Sequence, residues 1–229
     1  MLQPTYHISP TLLATLKQIT LLVHQLNKHP FPQVILAQLQ TEAQALSTHA
    51  STSIEGNPLP LTEVRRLLKQ QPEQVNQSER EVLNYNRALL LLREQAAQPL
   101  TQALLLQIHQ QVMTGLLPAH QVGHIRQEPV VIRNPRTQEI IFLPPDHGDV
   151  PALMDDLLRF VESNRAVLDP VILAGLFHKQ LVIIHPFMDG NGRTTRLATN
   201  VLLARLGVDT FDLFSFENYY HQNVSRYFQ

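Results

Sequence analysis

Apolar residues recur at intervals of three and four along most of this chain of 229 residues, a spacing typical of amphipathic helices. In the first such segment, Leu12, Leu16 and Ile19 share one side of a helix. The pattern predicts helices over residues 11–28, 33–53, 62–68, 78–97, 101–115, 150–164, 170–184 and 192–206. We therefore expect a mainly helical, all-α protein in which residues 1–50, an N-terminal helical region, and residues 51–229 form one compact unit.

Proline, glycine and capping residues mark the ends of several predicted helices. The His-Pro-Phe-Pro segment at residues 29–32 interrupts the apolar spacing, and Gly56 ends the second helix. Ser78 with Glu81 three residues later is a capping-box pattern. This pattern predicts that a helix begins at Ser78.

One region departs from helical spacing. Short β-branched runs at residues 130–132 and 140–142 flank a polar turn at residues 133–138. Such an arrangement is typical of a β-hairpin. Because an isolated hairpin is marginally stable, we expect this small hairpin to lean on the helices.

Composition excludes cysteine chemistry and argues against nucleic acid as a partner. The formal net charge is −1 and the pI is about 6.8, without the basic excess of a nucleic-acid-binding protein. The absence of cysteine excludes disulfides, thiolate metal sites and cysteine nucleophiles. The chain shows neither a secretory signal nor an apolar run of about 18 residues, so we expect a cytoplasmic protein without a membrane span.

The most informative stretch is residues 184–196, Ile-His-Pro-Phe-Met-Asp-Gly-Asn-Gly-Arg-Thr-Thr-Arg. Pro186 disfavours helical geometry at His185, which places a loop between two predicted helices. Gly190 and Gly192 permit backbone angles at which consecutive N–H groups converge. Converging N–H groups at the start of a helix form a cradle for an anion.

The polar side chains of this stretch suit phosphate chemistry. Arg193 and Arg196 are three residues apart, so both can reach one polyphosphate from the same helix face. Asp189 is a hard oxygen ligand suited to Mg²⁺ shared with phosphates. His185 titrates near neutral pH and is a candidate general base. These are parts that transfer of a phosphoryl-type group to a hydroxyl requires.

The stretch resembles the signature of the Fic family, His-x-Phe-x-Asp/Glu-Gly-Asn-Gly-Arg-x-x-Arg, at every defined position. The resemblance covers residues 51–229 and implies a Fic fold that transfers AMP from ATP to a protein hydroxyl. It implies that His185 deprotonates the hydroxyl, that Asp189 binds Mg²⁺ and that Phe187 is a buried anchor of the loop. The residues it assigns to the ATP phosphates are Gly190, Asn191 and Gly192 as an anion hole, Arg193, and Arg196 for the γ-phosphate.

The resemblance extends to the segment around the predicted hairpin. Residues 123–126, Gly-His-Ile-Arg, are similar to the stretch before the flap of Fic proteins. In that family the flap, here residues 130–143, docks a segment of the target protein by strand addition. The intact Gly-Asn-Gly-Arg sequence favours AMP transfer over the phosphate-transferring variant of the family.

A second motif resembles the family's inhibitory sequence, Ser/Thr-x-x-x-Glu-Gly/Asn. Ser51, Glu55 and Gly56 occupy its defined positions at the end of the second predicted helix. The helix dipole disfavours a carboxylate at that end, and a cationic partner would offset the cost. The resemblance implies that Glu55 pairs with Arg196 and blocks the γ-phosphate site.

Several alternatives remain open from the sequence. Glu55 could orient a water that removes AMP from a modified protein, or the chain could be a non-catalytic nucleotide-binding regulator. A homodimer could bury Glu55. His178, seven residues before His185, is assigned a structural role in preference to metal binding, and Tyr219, Tyr220 or Tyr227 could contact adenine.

Overall fold

The computed structural model describes residues 2–94, 99–133, 137–208, 210 and 212–228. The helices of these residues are α1 (Pro10–Lys28), α2 (Gln33–Ile54), α3 (Leu61–Gln70), α4 (Gln77–Glu94), α5 (Gln102–Met113), α6 (Val150–Asn164), α7 (Pro170–Ile184), α8 (Asn191–Arg205), α9 (Phe216–Gln222) and α10 (Val224–Tyr227). Two short strands, β1 (Ile132–Arg133) and β2 (Ile140–Phe142), lie between α5 and α6. The prediction of a mainly helical protein with one small hairpin is confirmed.

The helix starts follow the local chemistry of the sequence. Asp169 accepts hydrogen bonds from the first amides of α7, and Thr101 accepts one from the amide of Leu104 at the start of α5. For most helices, the predicted first and last residues lie within two residues of the observed ones. The predicted end of α4 at residue 97 lies outside the described residues.

The capping box predicted from Ser78 and Glu81 is wrong. The amide of Glu79 donates to the side chain of Asn76 at 3.0 Å, and the amide of Asn76 donates to the carboxylate of Glu79 at 2.9 Å. These reciprocal bonds form the capping box two residues earlier. Glu81 is thereby left inside α4, where its side chain is available for other partners.

The hairpin is shorter than its sequence pattern. Ile132 pairs with Phe142 and Arg133 pairs with Ile140 in antiparallel register, with an irregularity between Ile132 and Arg133. Val130 and Val131 lie outside the strand. Part of the predicted turn, residues 134–136, lies outside the described residues.

The main core is formed by α4 to α8. Helix α8 packs against α7, α5, α4 and α2, while α6 covers α7 and α5. The large apolar side chains buried between these helices are Leu105, Ile108, Met154, Leu157, Leu173, Phe177, Leu181 and Ile184. Each such side chain stabilises the fold by about 1.5–3 kcal/mol relative to exposure, and Leu197 and Leu202 of α8 are buried in the same core.

Helix α2, whose last turn carries Ser51 and precedes Glu55, packs against the core on several sides. Helix α2 packs against α3, α4 and α9, and its C-terminal end reaches α8. The buried residues of α2 cluster in its C-terminal half and include Ser47, Thr48, Ser51 and Thr52. This packing fixes the end of α2 close to the start of α8. The division at residues 50 and 51 stays a prediction.

Among the helices that the structure describes, none combines the length and the apolar character needed to cross a bilayer.

Candidate active site

The loop between α7 and α8 has a tightly specified backbone. Helix α7 ends at Ile184 and is followed by His185, which has a positive φ of 51°, and α8 is preceded by Gly190, with φ 77°. Phe187 is fully buried beneath the loop. The Asn191 side chain accepts a bond from the Phe187 amide at 2.9 Å and donates one to the Phe187 carbonyl at 2.8 Å. These contacts fix both ends of the loop.

His185 is oriented by backbone contacts on two sides. Its Nδ1 lies 3.3 Å from the carbonyl oxygen of Val182, which only a protonated Nδ1 can satisfy. The neutral ring therefore carries its lone pair on Nε2. Arg126 Nε donates to the carbonyl of His185 at 2.8 Å. Burial lowers the pKa of His185, although the Val182 bond opposes this effect, and a lowered pKa favours the neutral, basic ring.

The first turn of α8 presents backbone N–H groups without a capping side chain. Gly190 precedes the helix in a left-handed conformation, and its own N–H donates to Asp189 Oδ1. The side chain of Asn191 is committed to the loop, so its contribution to an anion cradle is its backbone N–H. The amides of Asn191 and Gly192 lie at the positive end of the helix, where anions are stabilised.

Arg193 lies beneath this turn between two carboxylates. Its Nη2 is 3.2 Å from Asp189 Oδ1, and its Nη1 is hydrogen-bonded to Glu81 Oε1. The Arg193 side chain is only 6% exposed. Within the described part of the chain, its buried Nε has no hydrogen-bond partner. Since buried polar groups are normally paired, this N–H is suited to a ligand oxygen.

The residues fit a magnesium ion that shares its ligands with phosphate. The Asp189 side chain is 58% exposed, so its carboxylate can reach a ligand in the site. Among the described residues, no group of three or more His, Cys, Asp or Glu could hold a metal. A site with one carboxylate is typical of Mg²⁺ bound together with substrate phosphates.

Arg196 is completely buried and paired with the motif at the end of α2. Its Nε donates to Ser51 Oγ at 2.7 Å, and its Nη2 donates to the Ser51 carbonyl at 2.9 Å and to Glu55 Oε1 at 2.6 Å. Its Nη1 lies 3.3 Å from the Tyr227 hydroxyl. The structure thus brings together Ser51, Glu55 and Arg196, which the sequence placed in two separate motifs.

The carboxylate of Glu55 lies directly over the start of α8. A Cβ added to Gly192 would overlap Oε1 of Glu55 and approach Nη1 of Arg196 to 3.0 Å. Gly56 follows with φ 95°, which lets the chain turn away after Glu55. The carboxylate therefore occupies space next to the predicted anion cradle.

A buried polar chain continues from Arg196 toward the C-terminal helices. The Tyr227 hydroxyl lies 3.0 Å from His178 Nε2, and His178 Nδ1 lies 3.0 Å from the hydroxyl of Thr199. Because Thr199 donates its own proton to the Thr195 carbonyl, it accepts from His178 Nδ1, and Tyr227 donates to Nε2. Both nitrogens of His178 are thus used by protein groups, in accord with a structural role.

Four contacts of the predicted site residues were not anticipated from the sequence. Glu81 contacts Arg193, Tyr227 contacts Arg196, Arg126 holds the His185 carbonyl, and His109 contacts the Asp189 carbonyl. The spacing of Ser78 and Glu81 predicts a helix cap and does not indicate the contact of Glu81 with Arg193. His109 lies between Ile108 and Val112 on a buried face of α5, where a polar residue requires a partner.

The hairpin presents an apolar surface beside the loop. Ile140, Ile141 and Leu143 are 57%, 62% and 67% exposed. Arg126 Nη2 donates to the carbonyl of Pro145 at 2.6 Å, and the Arg126 amide donates to the carbonyl of Pro186 at 2.9 Å. The base of the hairpin is thereby tied to the loop that carries His185.

Comparison with known proteins agrees with this arrangement. Residues 99–203 match the model of the Fic/DOC family. Proteins named protein adenylyltransferase Fic from Drosophila erecta and Drosophila melanogaster are 32% identical over 178 residues, covering 75% of this chain and 34% and 35% of those proteins. The chain thus spans about a third of the length of these curated relatives.

The fold is shared with a solved structure over nearly the whole chain. The crystal structure of a Fic family protein from Desulfovibrio desulfuricans has a TM-score of 0.80 and 26% identity, covering 99% of this chain and 67% of that chain. The likeness therefore includes the helix that carries Glu55 and the C-terminal helices, in addition to residues 99–203.

Proposed function

Residues 99–203 of this chain form a domain of the Fic/DOC family, and from that premise we propose that the protein is a Mg²⁺-dependent adenylyltransferase held inactive by Glu55. The proposed reaction transfers AMP from ATP to a Ser, Thr or Tyr hydroxyl of a target protein. The observation that supports it most is the site at the α7–α8 junction. There one loop and one helix start hold His185, Asp189, Arg193 and Arg196 together.

The ATP phosphates would bind at the N-terminus of α8. The backbone N–H groups of Asn191 and Gly192 and the unpaired Nε of Arg193 supply donors, and Arg196 would receive the γ-phosphate. The N–H of Gly190, which donates to Asp189 Oδ1, would join them once Asp189 turns toward the Mg²⁺ ion. Asp189 would hold Mg²⁺ against the phosphates, and the bound ion would neutralise charge on the leaving pyrophosphate. Asp189 now accepts from Arg193, so its turn toward the ion would free Nη2 of Arg193 for phosphate oxygen.

His185 would act as the general base. The oxygen of the target hydroxyl forms a bond to the α-phosphorus, and its proton passes to Nε2 of His185. The bond from that phosphorus to the oxygen bridging to the β-phosphate breaks, and pyrophosphate leaves with the electron pair. Because Nδ1 of His185 is held by the Val182 carbonyl, Nε2 is the nitrogen available to receive the proton.

Glu55 would inhibit this reaction by holding Arg196. The carboxylate occupies the space over Gly192 and neutralises the guanidinium that the γ-phosphate requires. With its γ-phosphate displaced, ATP would bind with the α-phosphorus out of line with the target hydroxyl. In-line geometry is a large part of phosphoryl-transfer catalysis, so this displacement would suppress the rate.

The target protein would dock on the hairpin, residues 130–143. The apolar side chains of Ile140, Ile141 and Leu143 are exposed, and strand β2 could pair with an extended target segment. Such pairing would place the target hydroxyl beside His185, since Arg126 ties the hairpin base to this residue's backbone.

Removal of AMP from a modified protein is the second candidate. The Glu55 side chain is 29% exposed next to the start of α8, so its free oxygen could orient a water against a bound AMP group. Both reactions would use the same phosphate cradle. They differ in the effect of Glu55→Gly, which would activate AMP addition and abolish AMP removal.

The experiment uses ATP labelled at either the α- or the γ-phosphate, with Mg²⁺. Glu55→Gly is compared with wild type and with Glu55→Gly/His185→Ala for label retained on protein. We expect label from α-labelled ATP only, in the single variant only. Retention of γ-label would indicate phosphate transfer. No label in the single variant, with wild type releasing AMP from an AMP-modified protein, would favour the second candidate.

A further inference from the structure

The imidazole of His109 lies completely buried beneath the catalytic loop. It comes from α5, a helix outside the α7–α8 signature. Its ring stacks on Phe187 with centroids 3.9 Å apart and an interplanar angle of 5°. His109 is thus in parallel contact with the buried anchor of the loop.

Both ring nitrogens of His109 are hydrogen-bonded to backbone. The N–H of Gly123 donates to Nδ1 at 2.9 Å. A ring that accepts at Nδ1 carries its proton on Nε2, which therefore donates to the Asp189 carbonyl at 3.0 Å. Burial lowers the pKa of His109 to about 4, in agreement with a neutral ring in this tautomer.

The loop rests closely on α5 around this contact. A Cβ at Gly190 would lie 2.6 Å from Met113 Sδ and 3.5 Å from His109 Cδ2. Only a glycine with the positive φ of Gly190 allows the loop to approach α5 this closely. The carbonyl of Asp189 is therefore directed down toward His109, while its carboxylate remains exposed above.

We propose that His109 is a positioning residue that fixes the backbone at Asp189, and so holds the metal-binding carboxylate in place. The inference rests on the proposed function of Asp189. The same ring also connects Asp189 to Gly123, which lies three residues before Arg126 and the base of the hairpin. His109 thereby links Asp189 to the segment that begins at Gly123. This segment leads to Arg126, which donates to the carbonyl of His185.

A group that orients a metal ligand through a hydrogen bond is nearly as important for metal binding as the ligand itself. Loss of such a group usually weakens metal binding roughly 10- to 100-fold. A structural histidine that only filled space would be replaced by phenylalanine without such a loss. The two roles of His109, stacking and hydrogen bonding, can be separated by two substitutions.

The test is made in the Glu55→Gly protein. His109→Phe keeps the stacking on Phe187 and removes both hydrogen bonds, whereas His109→Gln keeps a donor and an acceptor and loses the stacking. Ile108→Val, a neighbouring buried change on α5, controls for general loosening of the helix. Binding of Mn²⁺ in the presence of ATP is measured by electron paramagnetic resonance, together with kcat and KM for ATP in the labelling assay.

We expect His109→Phe to raise the half-saturating Mn²⁺ concentration roughly 10- to 100-fold. We expect kcat to fall with little change in KM, and His109→Gln to recover most of the loss. Ile108→Val should bind Mn²⁺ like its parent. Normal Mn²⁺ binding by His109→Phe, or no recovery with His109→Gln, overturns the proposal.

A measurement without substitution at His109 covers the case in which the variants do not fold. Nitrogen-15 NMR of histidine at neutral pH reports which ring nitrogen carries the proton. A proton on Nε2 of His109 and slow hydrogen exchange of the Gly123 amide support the proposal, and a proton on Nδ1 overturns it. Because Mn²⁺ binding and the NMR signal need no turnover, a parent that binds Mn²⁺ without transferring AMP would refute the proposed function alone.

Discussion

Nη2 of Arg196 lies 2.6 Å from Oε1 of Glu55, but the two side chains differ in their freedom to move. Arg196 is fully buried and also bound to Ser51, whereas the Glu55 side chain is 29% exposed at the end of α2. Release of the pair would therefore proceed by movement of Glu55, with Arg196 remaining in position for a phosphate.

Replacing Glu55 with glycine should increase the thermal stabilisation that Mg-ATP gives to the protein. Loss of one partner of a fully buried pair costs about 3–5 kcal/mol. Arg196 retains Ser51 and Tyr227, so we expect a loss of about 1–2 kcal/mol in unfolding free energy. Mg-ATP should then raise the Tm of Glu55→Gly more than that of wild type, because phosphate replaces the lost carboxylate.

Thermal unfolding with and without Mg-ATP measures this difference. Glu63→Ala is the control, since Glu63 forms an exposed pair with Arg66 on α3. Equal shifts of Tm by Mg-ATP in wild type and Glu55→Gly would show that Glu55 does not compete with phosphate for Arg196.

The effect of Gly192→Ala on the free energy of unfolding should depend on the residue at position 55. Alanine stabilises a helix relative to glycine by up to about 1 kcal/mol. In wild type this gain is offset because the new Cβ overlaps Oε1 of Glu55. We expect Gly192→Ala to destabilise the wild type more than the Glu55→Gly protein, where only Nη1 of Arg196, 3.0 Å from the new Cβ, must shift. Urea unfolding of the four proteins in this cycle measures the coupling, and additive effects would place Glu55 away from Gly192.

Two buried histidines should make stability depend on pH. Burial lowers the pKa of His109 to about 4, and burial followed by the charge of Arg196 lowers the pKa of His178 to about 3. Unfolding returns each ring to an ordinary pKa near 6.5, so the unfolded state binds more protons between these values. The stabilisation from each neutral ring is complete above about pH 6.5 and is lost as pH falls toward 4 and 3.

His178→Gln should reduce this dependence. Each histidine contributes a slope of up to about 1.4 kcal/mol per pH unit between these limits. Burial raises the pKa of Glu217, which acts in the opposite direction in both proteins and cancels in the comparison. Urea unfolding at pH 7 and pH 5 gives the change of unfolding free energy with pH. The same change in wild type and His178→Gln would contradict a lowered pKa of His178 in the folded protein.

Tyr227→Phe should destabilise the protein through His178. Without the hydroxyl, the buried Nε2 of His178 loses its donor and Arg196 loses a neighbour at 3.3 Å. An unsatisfied buried group costs about 1–3 kcal/mol. Tyr219→Phe, at a site that is 53% exposed, should change stability by less than about 0.5 kcal/mol. Chemical denaturation measures the loss of unfolding free energy in each variant. Similar losses in Tyr227→Phe and Tyr219→Phe would show that the Tyr227 hydroxyl does not stabilise His178 and Arg196.

The sequence predicted those features that short segments determine. The loop between α7 and α8 follows from Pro186 and the glycines, and the hairpin follows from its β-branched runs. The capping box was misplaced because Asn76 to Glu79 and Ser78 to Glu81 are overlapping patterns, and only the fold decides which one is used.

The partners of the signature residues could not be predicted because they lie far away in the chain. Glu81 is 112 residues from Arg193, and His109 is 80 residues from Asp189. Such contacts depend on how α4 and α5 pack against α8, which periodicity does not specify. The pair of Glu55 and Arg196, 141 residues apart, was anticipated through the family resemblance.

The most direct test of inhibition by Glu55 is the initial rate of AMP incorporation from α-labelled ATP into the chain itself. Glu55→Gly is compared with wild type and with Glu63→Ala at the same enzyme and Mg²⁺ concentrations. Our account predicts that Glu55→Gly is faster than both by at least about tenfold, a barrier difference of about 1.4 kcal/mol. Equal rates in an active preparation would contradict it and would leave the Glu55–Arg196 pair with a purely structural role.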